Sequence, residues 1–518
     1  MRRDPAALSA ETFDCLVVGA GVYGICAAWD AAQRGLRVAL VDRGDFCAAT
    51  SANSLKIAHG GLRYLQGLDV RRMRRSIRER RTLFRVAPHL VRPLPCLMPT
   101  RARPLTRHRW AMRTAMALND LVSWDRNRRV AAPVRLPRGR VLSRDECLRR
   151  FPGLDPGGVT GGALWYDGLI TDTERLAMSW LRRAVDAGAV AVNHFAATGL
   201  LRGPGGIEGV RGRDVPTGEA AEVRARVVVN ACGPWMEGLR ERDGRVCLAL
   251  NLVVDRPPAG CAVAAGIGGA RLFFLVPWRG KTMVGTAYFP RPAGAREASP
   301  TEEELARFVA DVNAVHPAYA LRREEVAFVH AGLLPVAPDG SRADRPRLEH
   351  GDGMISMQGE KWTTARNLAE RAVDLVFRRL GRAPPPCRTA EIAVHGGESA
   401  DLEELASGIR AAGIERGPAE RLAARYGTAW HEVTRHAAEA HGPLPGTAGL
   451  RAEILHAVRD AMAVTLGDID FGRTALASSG PTGDAALDEC TALAARELGW
   501  SEMRAAEERT SLASRLRT

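Results

Sequence analysis

The sequence predicts an α/β fold in three parts: a parallel, doubly wound sheet, an antiparallel sheet interleaved with it along the chain, and a helical C-terminal region. Three observations carry this expectation. A strand, glycine turn, helix and second strand occupy Phe13 to Asp42; strand-to-turn signals recur at Ala225–Trp235 and at Gly353–Ala365; and between those two, apolar runs alternate with turns. On this pattern the parallel part takes residues 12–80, 160–235 and 345–382, the antiparallel part 81–159 and 236–344, and the helical part 387–518.

The first unit is the most informative. Phe13-Asp14-Cys15-Leu16-Val17-Val18 is an apolar strand, Gly19-Ala20-Gly21-Val22-Tyr23-Gly24 is a G-x-G-x-x-G turn, Ile25 to Gly35 is an Ala-rich helix, and Arg37 to Val41 returns as a buried strand closing at Asp42. The glycines let backbone approach a pyrophosphate, whose charge the helix N-terminus favours, and Asp42 can accept from a ribose 2′-hydroxyl. The motif alone is weak; between strand and helix, with an acid about 20 residues on, it is a specific sign of an adenine dinucleotide.

After Asp42 and Arg43 comes a run of small hydroxyl residues, Cys47 to Lys56, where a nicotinamide-type fold would proceed to its next crossover helix. This insert points to a longer, flavin-type dinucleotide. Thr50, Ser51 and Ser54 can donate to phosphates, and Gly60-Gly61 lets backbone pass close to a flat ring. Arg63 is either a surface arginine or an anion clamp.

Composition narrows the class. With 518 residues, 46% of them hydrophobic, the chain can bury a large core. No stretch of about 18 apolar residues escapes charge or proline, so no membrane-spanning helix is expected; Gly260 to Trp278 comes nearest and contains Arg271 and Pro277. Met1-Arg2-Arg3-Asp4-Pro5 leads into no apolar stretch, which argues against a secretory signal. The ten cysteines form no C-x-x-C pair, as suits reduced thiols in a cytoplasmic protein rather than disulfides or a metal site.

The net charge is +14 and arginine supplies nearly all of the positive side; Lys56, Lys281 and Lys361 are the three lysines. Arg71 to Arg81 forms a dense basic helix and Arg101 to Arg113 a second basic segment. Both read as solvated faces, or as a face resting on anionic lipid at the inner side of the cell membrane. Nucleic acid fits less well, because the helix carries no aromatic stacking groups.

Along the remainder, Pro93, Pro95, Pro99 and Pro104 suggest irregular structure over residues 82–160. Asp172-Thr173-Glu174 opens an amphipathic helix ending near Gly188, and its acids read as caps rather than catalysts. Val227 to Gly233, with Ala231 and Gly233 at the turn, is the second dinucleotide-fold signal. Thr301-Glu302-Glu303-Glu304 reads as a capping box. In the third signal, Met354 to Gln358 runs into Gly359-Glu360-Lys361-Trp362-Thr363-Thr364, again aiming backbone N–H groups at negative charge. Because lysine is so rare here, Lys361 reads as a position that needs a compact ammonium.

These segments carry a resemblance. The glycine turn, Ala49-Thr50-Ser51, His59-Gly60-Gly61-Leu62-Arg63-Tyr64, Asn230 to Trp235 and Gly359 to Thr364 resemble, in order and spacing, the FAD-dependent glycerol-3-phosphate dehydrogenases of the D-amino-acid-oxidase-like flavoproteins. The tail resembles theirs through Arg425-Tyr426-Gly427 and Glu453 to Met462. The resemblance implies a Rossmann-like FAD domain and hydride transfer from a small alcohol to flavin N5. Electrons then pass to quinone or, in oxidase relatives, to oxygen, and a homodimer is one expected assembly. It also implies that Gly19, Gly21, Gly24, Asp42, Arg43, Thr50, Ser51, Ser54, Lys56, Gly60, Gly61, Ala231, Gly233, Gly359, Lys361 and Thr363 hold FAD. Arg63, Tyr64, Lys361 and Thr364 would stand by flavin and substrate.

Two departures bear on the substrate. The family's Lys-Gly-Ser-His run, whose histidine is the expected base, corresponds to a Cys247–Val254 segment without histidine; its Gly-Val-Arg-Pro corresponds to Gly332-Leu333-Leu334-Pro335. Losing a phosphate-gripping arginine costs about 2–5 kcal/mol of binding. The sequence therefore leaves three readings open: a glycerol 3-phosphate dehydrogenase, a flavin oxidase or dehydrogenase for a less anionic hydroxy or amino compound, and an FAD-binding protein without turnover. His330, on the strand face shared with Leu334, is a candidate relocated base or a packed histidine.

Overall fold

The structure is a computed structural model and describes residues 1–151, 153–240, 244–267, 271–337, 345–351 and 353–516. Its first sheet is built on Phe13–Val18, which pairs in parallel with Val38–Val41 on one side and Ala220–Asn230 on the other. Met354–Gln358 and Val190–Val192 extend the parallel order outward. Every residue of Phe13–Val18 and Val38–Val41 is buried, as expected of strands covered on both faces. The helices Val22–Gln33, Thr173–Asp186 and Ala365–Arg379 supply much of that cover, and their Ala-rich faces share one core with the strands.

The second sheet runs Val326–Pro335, Val246–Val254, Lys281–Pro290, Arg271–Trp278, Ala262–Ile267, Val91–Arg101, Val159–Ile170 and Ile57–Ala58. It is antiparallel except where Ala262–Ile267 meets Val91–Arg101. Residues 160–170 and Ile57–Ala58, read from sequence as belonging with the parallel part, pair here instead.

Residues 82–160 are more regular than their prolines suggested. The basic helix spans Val70–Val86, Val91–Arg101 is an eleven-residue strand, and Arg109–Val122 is a helix. Pro93, Pro95 and Pro99 fall on alternate positions, so their missing N–H groups all lie along one edge. On one side the strand pairs with Val159–Ile170 along its whole length, and on the other only Cys96 and Leu97 are paired.

The capping box at Thr301 forms, with Thr301 and Glu304 exchanging bonds. Asp172 caps Thr173–Asp186 through the Arg175 N–H at 2.8 Å. Beyond residue 400 the described chain is helical, in Leu402–Ala411, Arg416–Tyr426, Arg451–Ala461, Asp484–Leu498 and Glu502–Leu516. All ten cysteines are free, and no helix among the described residues is long and apolar enough to cross a membrane.

Candidate active site

The first and third glycine turns meet through one side chain. Tyr23, inside the G-x-G-x-x-G run, donates its hydroxyl proton to the Lys361 carbonyl and accepts from the Lys361 N–H, both at 2.9 Å. Trp362 Nε1 donates to the Ser51 carbonyl at 2.9 Å, and Thr50 Oγ1 donates to the Leu333 carbonyl at 2.7 Å. The hydroxyl-rich insert is thereby tied to the strand Val326–Pro335 and to the turn that follows Met354–Gln358.

A cavity of about 920 Å³ lies between these segments, at the upper end of the roughly 300–1,000 Å³ usual for ligand pockets. Gly19, Gly21, Asp42, Arg43, Thr50, Ser51, Ser54, Ala231, Gly233, Gly359 and Lys361 all line it. Gly19 has φ +99°, and a Cβ there would stand 2.7 Å from the Ala231 backbone. A Cβ on Gly24 would stand 1.8 Å from the Gly19 carbonyl oxygen, so this glycine seats the helix on the turn. Asp42 accepts from the N–H groups of Ala20 at 2.6 Å and Gly44 at 2.9 Å. Burial nevertheless raises its pKa above the ordinary carboxylate value. The Val22 N–H at the helix start donates to Ser51 Oγ at 3.0 Å, and Arg43 lies 4.6 Å over Trp235. Helix-start amides, hydroxyls, an acid and an arginine–indole stack around a long cavity are a donor set that fits FAD.

Other assigned residues lie elsewhere. The Lys56 ammonium is buried, donating to the Ala52 carbonyl, to Thr173 Oγ1 at 2.6 Å and to Glu174 Oε2 at 3.3 Å. It ties the insert to a helix and does not face the cavity. Gly60 and Gly61 line no described cavity either, and their need for glycine is internal. A Cβ on Gly60 would stand 2.2 Å from Arg80 Nη1, and Gly61 turns at φ +84° into the short helix Leu62–Leu65. Thr363 Oγ1 accepts from the His59 N–H at 3.0 Å. Asp167 fixes the same loop, accepting from the Gly60 N–H and Arg80 Nη1, each at 2.6 Å, and lying 3.3 Å from His59 Nδ1. Burial works against its charge, but His59 and Arg80 win and hold its pKa well below the usual carboxylate range.

Lys361 stands where this cavity approaches a second one of about 320 Å³, lined by Tyr64 and Thr364 among others. Its Nζ bonds the Tyr64 hydroxyl oxygen at 2.5 Å. Burial, then Arg63, lowers the Lys361 pKa. Burial pushes the Tyr64 phenol up, and Lys361, Arg63 and Arg72 outweigh it, so its pKa also falls below the ordinary value. Arg63 itself is exposed, 5.4 Å over the Tyr64 ring, and lines neither cavity.

On the opposite wall His330 and Leu334 both line the large cavity, as strand alternation requires. His330 is 2% exposed, with Nδ1 3.0 Å from Asn53 Oδ1 and Nε2 3.1 Å from the Ser478 carbonyl oxygen. Burial, then Lys56 and Arg279, push its pKa well below the usual histidine value. Asn251, paired in register with His330, donates to the Asn53 carbonyl at 2.9 Å and accepts from Thr286 Oγ1 at 2.8 Å. Sequence reasoning did not single out Asn251 or Tyr23. Asn251 carried one signal, an amide in an otherwise apolar strand.

Comparison with known proteins identifies the family. Residues 14–375 match the family described as FAD dependent oxidoreductase, and residues 387–505 match the C-terminal domain of alpha-glycerophosphate oxidase. A glycerol-3-phosphate dehydrogenase of Synechocystis sp. is 32% identical, with 90% of this chain and 89% of the relative covered. The mitochondrial glycerol-3-phosphate dehydrogenase of Mus musculus is 30% identical over 96% of this chain and 72% of its own. Among solved structures, the glycerol-3-phosphate dehydrogenase from Bacillus halodurans complexed with FAD superposes with a TM-score of 0.79 at 26% identity, covering 99% of this chain and 96% of that one. The chain belongs to the FAD-dependent oxidoreductase family and is a glycerol-3-phosphate-dehydrogenase-like enzyme with FAD as its cofactor.

Proposed function

We propose that the protein oxidises glycerol 3-phosphate or a related small alcohol and delivers the electrons to a quinone. The observation that carries this reading is the Lys361–Tyr64 pair, half-buried where the dinucleotide cavity approaches the second one. FAD, when bound, supplies the hydride acceptor at N5.

The chain's own groups supply the rest. Gly19, Gly21, Asp42, Arg43, Thr50, Ser51, Ser54 and Gly359 hold the dinucleotide. Tyr64 Oη, its pKa lowered by its cationic neighbours, takes the hydroxyl proton as hydride leaves the carbon. Lys361 Nζ, on the cavity wall, would offer positive charge to the bound cofactor, which gains negative charge on reduction. Thr364 lines the second cavity with Tyr64 and orients the substrate; Arg63, exposed and lining neither cavity, acts only through the charge it adds beside Tyr64. Anaerobic mixing of the yellow protein with phosphorylated and unphosphorylated small alcohols tests the reading. Bleaching by glycerol 3-phosphate or a close analogue is expected, and bleaching by none of them overturns it.

Leu334 supports a second reading, in which the substrate is a less anionic hydroxy or amino compound, because an apolar side chain lines the cavity at the position where the family resemblance implies an arginine. The same panel separates the two.

In either reading His330 anchors Asn53 rather than taking a proton, since burial, Lys56 and Arg279 disfavour its charged form and its ring nitrogens are engaged by Asn53 and Ser478. His330→Gln should therefore slow flavin reduction by less than about tenfold, against the 10²–10⁴-fold loss of a general base. A loss in that larger range, with FAD content unchanged, would make His330 the base.

Quinone as acceptor and peripheral membrane contact draw support from one surface. Leu68, Leu105, Trp110, Leu121 and Trp124 are each at least two-thirds exposed, in the same stretches of chain as the exposed Arg71, Arg75, Arg103 and Arg113. The basic helix is not a free cationic face throughout. Arg74 and Arg81 pair with Asp125, and Arg80 pairs with Asp167. The apolar tips add what charge alone lacks. Replacing Trp110 and Trp124 together by Ser should weaken binding to anionic vesicles about tenfold or more, because burying a large apolar side chain is worth roughly 1.5–3 kcal/mol. Unchanged partitioning in a sedimentation assay would remove this surface from consideration.

A further inference from the structure

We propose that His436, His456 and Asp460 form a binding site for one divalent cation of the zinc class in the C-terminal helical region. Each offers one ligand atom, and the three atoms lie within 4.8 Å of one another, close enough for one ion to reach all of them. None of the three residues lines either described cavity, so the site is separate from the one assigned to FAD.

Two segments build it. His456 and Asp460 are four residues apart on the helix Arg451–Ala461 and therefore share a face, and His436 comes from the turn after the short helix His431–Thr434. Both histidines are more than nine-tenths buried. His436 Nε2 accepts from Arg435 Nε at 3.4 Å, which uses its lone pair, yet it stands 2.7 Å from Asp460 Oδ2, another acceptor. Two acceptors that close need a cation between them, either a proton or a metal ion. The third atom favours the metal. His456 Nδ1 lies 3.4 Å from the same Oδ2 and is buried with no hydrogen-bond partner among the described residues. A proton bridges one pair of atoms, whereas one metal ion takes all three.

The donor set fixes the class. Two imidazoles and a carboxylate suit zinc, cobalt or nickel, whereas magnesium and calcium prefer oxygen alone. Burial lowers the pKa of His456, so its ring is neutral and free to ligate. Three protein ligands leave a fourth position for water, and the Asp460 side chain, 18% exposed, opens toward solvent. The surrounding field is mixed. Asp460 and Glu432 favour a cation beside His456 and Arg175 opposes it, while the half-exposed Arg435 holds Asp460 Oδ1 at 2.5 Å. Arg435 thus leaves Oδ2 to the metal but competes with it in charge. A second group, Asp45, His194 and Asp468, also has converging ligand atoms, but Arg473 already grips both oxygens of Asp45. A bound ion would pin the turn at His436 to Arg451–Ala461 and stabilise the C-terminal region.

The test titrates the FAD-loaded full chain, stripped of metal by chelator, with Zn²⁺, Co²⁺ and Mg²⁺ in a calorimeter. Zn²⁺ should bind one per chain and raise the melting temperature, and Co²⁺ should give the visible absorption of a four-coordinate site that Zn²⁺ then abolishes. Mg²⁺ should not compete. His436→Gln/His456→Gln should lose at least about hundredfold in Zn²⁺ affinity. Arg435→Ala, a change at an exposed side chain, should instead bind Zn²⁺ about threefold more tightly because a competing charge is gone. A hydrogen-bonded cluster with no metal role would not show that gain. No Zn²⁺ binding by the wild type, displacement by Mg²⁺, or equal affinity in the histidine double variant overturns the proposal. If that double variant does not fold, Arg435→Ala decides, and an unchanged or weakened Zn²⁺ affinity there overturns it.

Discussion

Replacing Lys361 by Met is expected to slow flavin reduction by the substrate about 10²–10³-fold, the usual loss when one preorganised charge-stabilising donor is removed from an active site. The backbone of residue 361 would keep its two bonds to the Tyr23 hydroxyl, so the glycine turns stay joined and FAD content should not change. That separates a chemical effect from a structural one. The pH profile gives a second readout. Lys361 is the strongest of the cations that bring the Tyr64 phenol below its ordinary pKa. If Tyr64 must be deprotonated to accept the hydroxyl proton, the rate rises as pH climbs through that lowered value. In Lys361→Met the phenol loses this neighbour, and the rising limb moves to higher pH. A stopped-flow rate within about threefold of wild type, with an unmoved limb, would exclude the assigned role.

The elements legible in the sequence were those whose signal is local. The strand Phe13–Val18 falls where the apolar spacing put it, and the helix follows the glycine turn but runs Val22–Gln33, three residues earlier at its start and two at its end than the expected Ile25 to Gly35. The rarity of lysine singled out Lys361, which the structure sets beside Tyr64. What sequence could not supply was the partner of a side chain. Lys56 sits among hydroxyls that looked like phosphate donors, yet its charge is matched by Glu174, distant along the chain. Gly60 looked like clearance for a flat ring, but the neighbour that requires it is Arg80. Tyr23 occupies a variable position of the glycine motif, where no pattern marks a residue, and it joins two of the three turns. The alternate prolines of Val91–Arg101 hid a strand because a proline run is read as a break, whereas prolines along one edge leave the other edge's donors intact.

The interactions that hold the three parts of the chain together are equally distant in sequence, and Asp172 shows what they contribute. Its carboxylate caps the helix Thr173–Asp186, accepts from Arg279 Nη2 at 2.9 Å at the end of a second-sheet strand, and pairs with Arg425 in the helix Arg416–Tyr426. One buried carboxylate thus ties three parts together, Oδ1 capping the helix and Oδ2 meeting Arg279 and Arg425. Replacing Asp172 by Ala removes the short ion-pair partner of Arg425, whose side chain is 8% exposed and keeps the Arg473 carbonyl at 2.7 Å and Glu453 at 3.9 Å, and should destabilise the fold by about 3 kcal/mol, the lower end of the cost of removing one partner from a buried pair. Burial opposes the charge of Asp172, but Arg425 and Arg279 overcome it and hold its pKa well below the ordinary value. A carboxylate lowered in the folded state stabilises fully above its unfolded pKa, about 3.9, and loses that contribution as pH falls toward the folded value. The stability gap between wild type and Asp172→Ala, measured as denaturant midpoints, should therefore be widest near neutral pH and shrink below about pH 4. A gap that stays constant with pH, or a variant as stable as wild type at pH 7, would show that Arg425 and Arg279 find other partners and that the three parts do not depend on this carboxylate.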